Sequence, residues 1–212
     1  MIAYASRTGT RRNLDALRSA GWRLLVSATG DHRTEGWANY ALDNGAWAAH
    51  NSGTPFRADR FRLLLARLGS GADWVVAPDI VGGGLESLRF SLAWLDECLA
   101  SCPRVLIAAQ DGTSVRDVAP YISERVGVAI GGSTPWKLAQ LHGDVWGRLC
   151  HDRGAWLHCL RVNTQTRIRA CEDAGCWSLD GSGASRWSKN TPKLTRWLQE
   201  RSLLAASRGY YK

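Results

Sequence analysis

Short apolar segments alternate with longer amphipathic segments along the whole chain, and this alternation constrains the fold more than any other feature. A short apolar segment followed by a helical pattern is typical of a strand buried in a parallel sheet. The apolar segments are residues 2–5, 23–28, 40–43, 74–79, 105–110, 126–131, 157–162 and 176–180. The helical segments are residues 11–20, 58–68, 86–100, 115–123, 135–153 and 166–174, whereas residues 29–39 are polar and show no clear helix.

Eight strands joined mostly by helices predict an α/β fold, a compact (β/α)8 barrel of the TIM type. With 212 residues, the chain lies near the lower size limit of that fold. An open, doubly wound sheet is the main alternative, because it would also bury segments such as 74–78 and 105–109 on both faces. The number of strands favours the barrel. We assign residues 1–184 to it and residues 185–212 to a basic C-terminal segment, which comprises the last barrel helix and a tail.

The composition is rich in positive charge. Lys and Arg total 27 against 19 acidic residues, which gives a net charge of +8, and most of the basic residues are arginine. Arginine suits bidentate contacts with phosphate, so a polyanionic partner is one explanation. The codon usage of a GC-rich genome is an equally good one. No apolar stretch approaches the ~20 residues that cross a bilayer, and residues 1–20 lack the apolar region of a signal peptide. We therefore expect a soluble, cytoplasmic protein with no membrane partner.

The spacing of cysteine and histidine predicts neither a metal site nor a cofactor. The six cysteines form no C-x-x-C or C-x-C pair, and the five histidines show no H-E-x-x-H spacing. We expect the thiols to be reduced and mostly buried. Each histidine is better explained as a surface residue or a hydrogen-bonded core residue than as a ligand.

Polar residues and glycines follow the apolar segments at the points where the strands end. In a barrel these positions lie on the C-terminal rim, where barrel enzymes build their active sites. Asp and Asn at strand ends also cap helices and form turns, so each residue alone has a structural explanation. Converging carboxyl groups differ in protonation, and chemistry at a glycosidic carbon requires that division. The strand-end residues are Asp43 and Asn44, Asp79, Gln110 and Asp111, Gly131 and Gly132, Asn163, and Asp180.

Four short motifs at these strand ends resemble, in the same order, those of the tRNA-guanine transglycosylase superfamily. Residues 43–47 (DNGAW) are similar to D-S-G-G-[FY], 110–112 (QDG) to V-Q-G-G, 130–132 (IGG) to the Gly-Gly motif that follows it, and 179–181 (LDG) to the F-D-C region. The resemblance covers residues 40–187. It is closer to the shorter, DNA-acting branch, the deazapurine DNA-modification transglycosylases (DpdA family) of phages and bacterial genomic islands. Asn44 and Ala46 depart from the first motif, and the C-x-C-x-x-C…H zinc site of the tRNA enzymes has no counterpart in this sequence.

The resemblance implies a role for each matching residue. Asp180 would be the nucleophile, and Asp43 would serve proton transfer. Asp79 would recognise the purine, as would Gln110. Asn44, Asp111 and the backbone of Gly131 and Gly132 complete the implied substrate-binding set.

The reaction that the resemblance implies exchanges guanine in DNA for a 7-deazaguanine such as 7-cyano-7-deazaguanine. Asp180 would attack C1′ of deoxyguanosine and expel guanine, which leaves a covalent aspartyl-glycosyl intermediate. Asp43 would then take a proton from the incoming 7-deazaguanine, which attacks the same carbon. A paired guanine hides C1′ and its base edge, so the base must be flipped out or lie in single-stranded DNA.

Residues 185–197 form a basic stretch that contains two tryptophans and no acidic residue. Arg186, Lys189 and Lys193 are candidates for phosphate contacts, together with Arg11 after the first strand. The simpler explanation is a last helix over residues 193–204 with an inward-facing tryptophan. The expected partners are DNA, the 7-deazaguanine base and, as an option, partner proteins of a DNA-modification system. The alternatives are a non-catalytic nucleic-acid-binding barrel and a glycosylase that removes a base without replacing it.

Overall fold

Eight parallel strands close into a barrel in sequence order in the computed structural model, which describes residues 1–7 and 10–200. The strands are β1 (Ile2–Ser6), β2 (Arg23–Ser27), β3 (Tyr40–Asp43), β4 (Val75–Val76), β5 (Val105–Ala109), β6 (Val126–Ile130), β7 (Leu157–Cys159) and β8 (Ser178–Asp180). Each strand pairs with the next one, and β1 pairs with β8 through Tyr4 and Asp180. This closure confirms the (β/α)8 barrel and excludes the open sheet, which would leave two edges unpaired.

Helices surround the barrel and connect its strands. They are α1 (Arg11–Ser19), α2 (Ala46–Ser52), α3 (Ala58–Leu68), α4 (Gly84–Ala93), α5 (Leu95–Ser101), α6 (Val115–Val118), α7 (Thr134–His142), α8 (Val145–Asp152), α9 (Gln165–Asp173), α10 (Ser182–Arg186) and α11 (Thr191–Gln199). Short 3₁₀ turns cover Gly69–Gly71, Ala119–Tyr121 and Ser188–Asn190.

The helices differ from the predicted ones in several places. The predicted helix 86–100 is divided at Trp94 into α4 and α5, and the predicted helix 135–153 is divided where Asp144 takes a left-handed backbone (φ 47°). The sequence did not predict α2, which is short and follows the left-handed Gly45 (φ 84°). Residues 29–39 contain no helix, as expected.

The last barrel helix begins earlier than predicted. α11 starts at Thr191 with a proline in its first turn, where the missing N–H is harmless. It ends at Gln199, and residues 201–204 of the predicted helix lie outside the described residues. Trp197 of this helix packs against the core, as expected.

Buried side chains form two layers, because successive strand residues point to opposite faces of the sheet. The larger layer lies between barrel and helices and includes Leu24, Leu42 and Phe61. The smaller layer fills the barrel interior with Tyr4, Leu25, Ala41, Trp74, Val76, Leu106, Ala108 and Ala129.

The end of the barrel where the strands begin is closed by polar contacts around Asp73. Tyr4 Oη donates a hydrogen bond to Asp73 Oδ2 at 2.8 Å, and Arg23 Nη1 donates to the same oxygen at 3.0 Å. The ring of Trp74 packs edge-on against Tyr4, with ring centroids 4.9 Å apart. The interior is therefore filled at this end.

The six cysteines are buried and none of them forms a disulfide, as predicted. Within residues 1–7 and 10–200, no helix has the length and apolar character needed to cross a membrane. In the same part of the chain, no group of three or more His, Cys, Asp or Glu side chains is arranged to hold a metal ion.

Candidate active site

A cavity of about 480 Å³ opens at the C-terminal end of the strands. Its volume lies in the range of pockets that bind small molecules. The carboxyl ends of all strands in a closed parallel barrel lie on one side, so residues far apart in sequence meet around this space. Among the predicted residues, Asp43, Asn44, Asp79, Gln110, Gly131, Asp180 and Arg186 line the cavity.

Asp79 is held in the cavity wall by two neutral side-chain amides. Asn44 Nδ2 donates to Asp79 Oδ1 at 2.8 Å, and Gln110 Nε2 donates to Asp79 Oδ2 at 2.5 Å. Asn44 is fixed in turn, because its Oδ1 accepts a hydrogen bond from the Ala46 amide at 2.7 Å. Burial raises the pKa of Asp79, while the two amides and the charge of Arg161 oppose that rise. Since each carboxylate oxygen has two acceptor sites, Asp79 can still accept hydrogen bonds from a ligand.

The glycine pair after β6 is joined to this network through Gln110. Gln110 Oε1 accepts from the Gly132 amide at 3.0 Å, and the Gly131 amide donates to the Ala109 carbonyl at 2.8 Å. Both amides are therefore engaged, and a bound base would have to compete with these bonds. Gly132 is left-handed (φ 68°), and a Cβ there would lie 2.5 Å from Asp111 Oδ2, so glycine is required.

Asp111 does not line the cavity, although the sequence placed it in the substrate-binding set. Its carboxylate accepts hydrogen bonds from Ser133 N and Ser133 Oγ, each at 2.6 Å. Partial burial opposes ionisation, yet the bonds from Ser133 lower the pKa of Asp111. Asp111 thus fixes the turn that leads into α7.

The basic residues predicted to contact nucleic acid divide into two groups. Arg186 lines the cavity, whereas Arg11, Lys189 and Lys193 lie outside it. Arg11 forms an exposed ion pair with Asp15 on α1 at 3.1 Å. Lys189 and Lys193 are exposed on the C-terminal segment that follows the cavity wall.

Asp43 ends β3 and is enclosed by protein on most sides, while its carboxyl group lines the cavity. Burial raises the pKa of Asp43 to about 6, and the charges of Asp180 and Asp79 add to the rise. Hydrogen bonds from the Ser27 hydroxyl and the Gly45 amide oppose it. A carboxyl group with this pKa can both take and give a proton near neutral pH.

Asp180 ends β8 and is almost fully buried in the cavity wall. Its Oδ1 accepts a hydrogen bond from the Arg161 amide at 3.0 Å, and His158 Nε2 lies 3.2 Å from the same oxygen. These two contacts fix the orientation of the carboxyl group. A buried carboxylate supported in this way is suited to act as a nucleophile.

Sequence reasoning missed three residues that shape this wall. Arg161 takes a left-handed backbone (φ 59°), places its guanidinium 4.0 Å above the Trp47 ring and donates to the Gly132 carbonyl. Lys137 is buried and donates to the Leu160 carbonyl beside it. His158 is fully buried beneath Asp180. Only His158 left a signal in the sequence, a polar residue at an inward-facing position of an apolar strand.

The fold and the cavity together define a class: a (β/α)8 barrel with three acidic side chains around a pocket at the C-terminal end of its strands. No model of a known protein family matches the chain, and no curated protein matches it. The functional interpretation therefore depends on the residues of the cavity.

Proposed function

We propose that the protein is a DNA-guanine transglycosylase, a pentosyltransferase that exchanges guanine in DNA for a 7-deazaguanine such as 7-cyano-7-deazaguanine. One observation carries the proposal. Asp43 and Asp180 line one cavity, together with Asp79 and Gln110, although 137 positions separate Asp43 from Asp180 in the chain. This set contains a nucleophile, a proton-transfer group and hydrogen-bonding groups for a base.

The proposed reaction proceeds in two displacements at C1′. A carboxylate oxygen of Asp180 forms a bond to C1′ as the C1′–N9 bond breaks, and the protonated Asp43 gives its proton to the leaving guanine. The incoming 7-deazaguanine then loses its N9 proton to Asp43, and N9 attacks C1′ from the vacated face. The C1′–O bond breaks, and Asp180 returns to its carboxylate form. A pKa of about 6 suits Asp43 to this proton transfer.

Recognition of the purine falls to the Asp79 network in this proposal. The carboxylate of Asp79 can accept hydrogen bonds from the N1–H and amino group of guanine or of its 7-deaza analogue. Asn44 and Gln110 hold that carboxylate from both sides, so it need not reorganise when the base binds. Arg161 and Trp47 close the facing part of the wall through their cation–π contact.

The DNA contact is supported by the surface that follows α10. Arg186 lines the cavity, and Lys189 and Lys193 are exposed on the segment that follows α10. Lys193 Nζ lies 4.8 Å from the centroid of the Trp197 ring, and none of the three cations forms an ion pair within residues 1–7 and 10–200. Trp187 is 60% exposed, which is unusual for so large an apolar side chain. Cations that are available for phosphate and an exposed indole for stacking are typical of sites for single-stranded nucleic acid. The proposal includes a cytoplasmic location, where such an enzyme would meet DNA.

Base exchange can be measured directly. The protein is incubated with guanine-containing single-stranded or duplex DNA and 7-cyano-7-deazaguanine, and the digested nucleosides are analysed by mass spectrometry. We expect the deazaguanine nucleoside with wild type and none with Asp180→Asn. Because partner proteins are part of the proposal, the assay is repeated with extract from cells that produce the protein naturally. Equal product from wild type and Asp180→Asn in both settings would reject the proposal.

The same assay separates the two alternatives. An abasic product formed without added deazaguanine would indicate a base-removing glycosylase. DNA binding that survives both Asp43→Ala and Asp180→Ala, with no covalent enzyme–DNA adduct in wild type, would indicate a non-catalytic binding barrel.

A further inference from the structure

A chain of hydrogen bonds runs through the barrel interior to Asp180. Trp156 Nε1 donates to Ser178 Oγ at 2.7 Å, and Ser178 Oγ lies 2.8 Å from His158 Nδ1. His158 Nε2 lies 3.2 Å from Asp180 Oδ1. His158 is fully buried and packs on Trp74, with ring centroids 4.5 Å apart, so the imidazole is held in place.

The chemistry of these groups fixes the direction of the chain. A carboxylate oxygen can only accept, so the ring proton of His158 lies on Nε2 and faces Asp180 Oδ1. In the neutral ring Nδ1 is then the acceptor and receives the Ser178 hydroxyl proton, while Ser178 Oγ accepts from the Trp156 indole N–H. The Nδ1–H tautomer would direct the Nε2 lone pair at the Asp180 carboxylate, and the two groups would repel each other. Burial lowers the pKa of His158, although the bond to Asp180 opposes this, and a neutral ring agrees with the assignment.

The two oxygens of Asp180 therefore differ. Oδ1 receives the Arg161 amide and the His158 Nε2–H, whereas Oδ2 has no hydrogen-bond partner within residues 1–7 and 10–200. The torsion that exchanges the two oxygens is soft in an unsupported Asp side chain. Two donors on one oxygen hold this torsion and turn the other oxygen toward the cavity.

We infer that His158 is a positioning residue: as the neutral Nε2–H tautomer, it holds Oδ1 of Asp180 and leaves Oδ2 to attack the substrate. The inference rests on the proposed role of Asp180 as nucleophile. Small displacements of a reacting atom slow a reaction more than they weaken binding. His158 therefore acts on kcat rather than on KM.

The hydrogen bond itself can be tested without an activity assay. In protein with ¹⁵N-labelled histidine, the ring correlations of His158, assigned by their loss in His158→Gln, report the tautomer. We expect a neutral Nε2–H ring at pH 7, with an Nε2–H proton that moves upfield in Asp180→Asn. A neutral Nδ1–H ring, or an imidazolium at pH 7, would overturn the inference.

The role in catalysis is tested with two variants of similar size. His158→Gln keeps an N–H donor near Asp180, whereas His158→Leu keeps the volume and removes the donor. We expect His158→Leu to lose about 10- to 100-fold in kcat with KM for the base unchanged, the range for losing one hydrogen bond to a charged group. His158→Gln should recover most of that loss.

Equal kcat in His158→Leu and wild type, or a loss that His158→Gln does not recover, would overturn the positioning role while leaving the base exchange established. If wild type shows no exchange at all, the proposed function fails instead. The NMR result then decides alone whether His158 holds Asp180.

Discussion

The acidic residues at the two ends of the barrel have different kinds of hydrogen-bond partners. At the end where the strands begin, Asp73 faces the Arg23 guanidinium and the Tyr4 hydroxyl, so its charge is balanced by a cation. Burial and the charge of Asp73 raise the pKa of Tyr4, which keeps the phenol protonated as a donor. At the other end, Asp79 and Asp180 are supported by neutral amides, a backbone N–H and a buried imidazole.

The difference indicates what each end contributes. An ion pair with satisfied hydrogen bonds closes the barrel and stabilises the fold. Burial makes Asp43 costly to ionise, and the nearby charges of Asp180 and Asp79 add to that cost, so its pKa is raised. A cavity that keeps such groups at the expense of stability is typical of a functional site.

The largest effect expected is on catalysis. Asp180→Asn removes the proposed nucleophile with almost no change in side-chain size, so we expect the exchange rate to fall by about 10⁴-fold. The free energy of unfolding should change by less than about 1 kcal/mol, since the amide still accepts from Arg161. Single-turnover nucleoside analysis and urea unfolding give the two numbers. If Asp180→Asn keeps a rate within tenfold of wild type, the C-terminal end of the barrel contributes no more to catalysis than the opposite end.

The next effect is a pH-dependent gain in stability. Because the pKa of Asp43 is raised to about 6 in the folded protein, ionisation opposes folding as pH rises above about 4, and the full penalty is present above pH 6. Asp43→Asn should therefore stabilise the protein by up to about 3 kcal/mol at pH 8 and leave it unchanged below pH 4.

Urea unfolding at pH 4, 6 and 8 measures this gain. Asp111→Asn is the matched control, because hydrogen bonds lower the pKa of Asp111 despite its partial burial. Its charged form favours folding above the unfolded pKa, so the control should lose stability at pH 8 rather than gain it. A gain for Asp43→Asn that does not vary with pH would contradict the assigned pKa.

A smaller effect is expected at the opposite end of the barrel. Asp73→Asn leaves the half-buried Arg23 without its counter-charge, and we expect a loss of about 1–2 kcal/mol in the free energy of unfolding. Exchange measured at a temperature where the variant is folded should match wild type. A selective loss of exchange would mean that the two ends are coupled, and the comparison would need revision.

The strands and the rim acids could be predicted because both depend on local pattern. A buried strand needs an apolar run, and a strand end needs a residue that turns the chain, so Asp43, Asp79 and Asp180 were found from their positions alone. The division of the predicted helix 86–100 at Trp94 could not be predicted, because no proline or glycine marks the break.

The polar network inside the site could not be predicted either. The bond from His158 to Asp180 joins neighbouring strands 22 positions apart, and its partner is set by barrel register rather than by sequence spacing. The left-handed backbone at Arg161 could not be predicted, because the position is not a glycine. Asp111 also lies near the carboxyl end of a strand, two positions after β5, yet hydrogen bonds from Ser133, which follows β6, make it the support of a turn.

The smallest effect compares two exposed tryptophans at the two ends. Trp187 (60% exposed) follows α10 at the cavity end, and Trp177 (46% exposed) precedes β8 at the other end, where it stacks on Trp156. Stacking of one base on an aromatic ring is worth about 1–3 kcal/mol. Trp187→Ala should weaken binding of a labelled single-stranded oligonucleotide about fivefold in an anisotropy titration, whereas Trp177→Ala should leave it unchanged. Equal losses for both variants would mean that the oligonucleotide stacks on exposed indoles at either end of the barrel. The cavity end would then not be the preferred site for DNA.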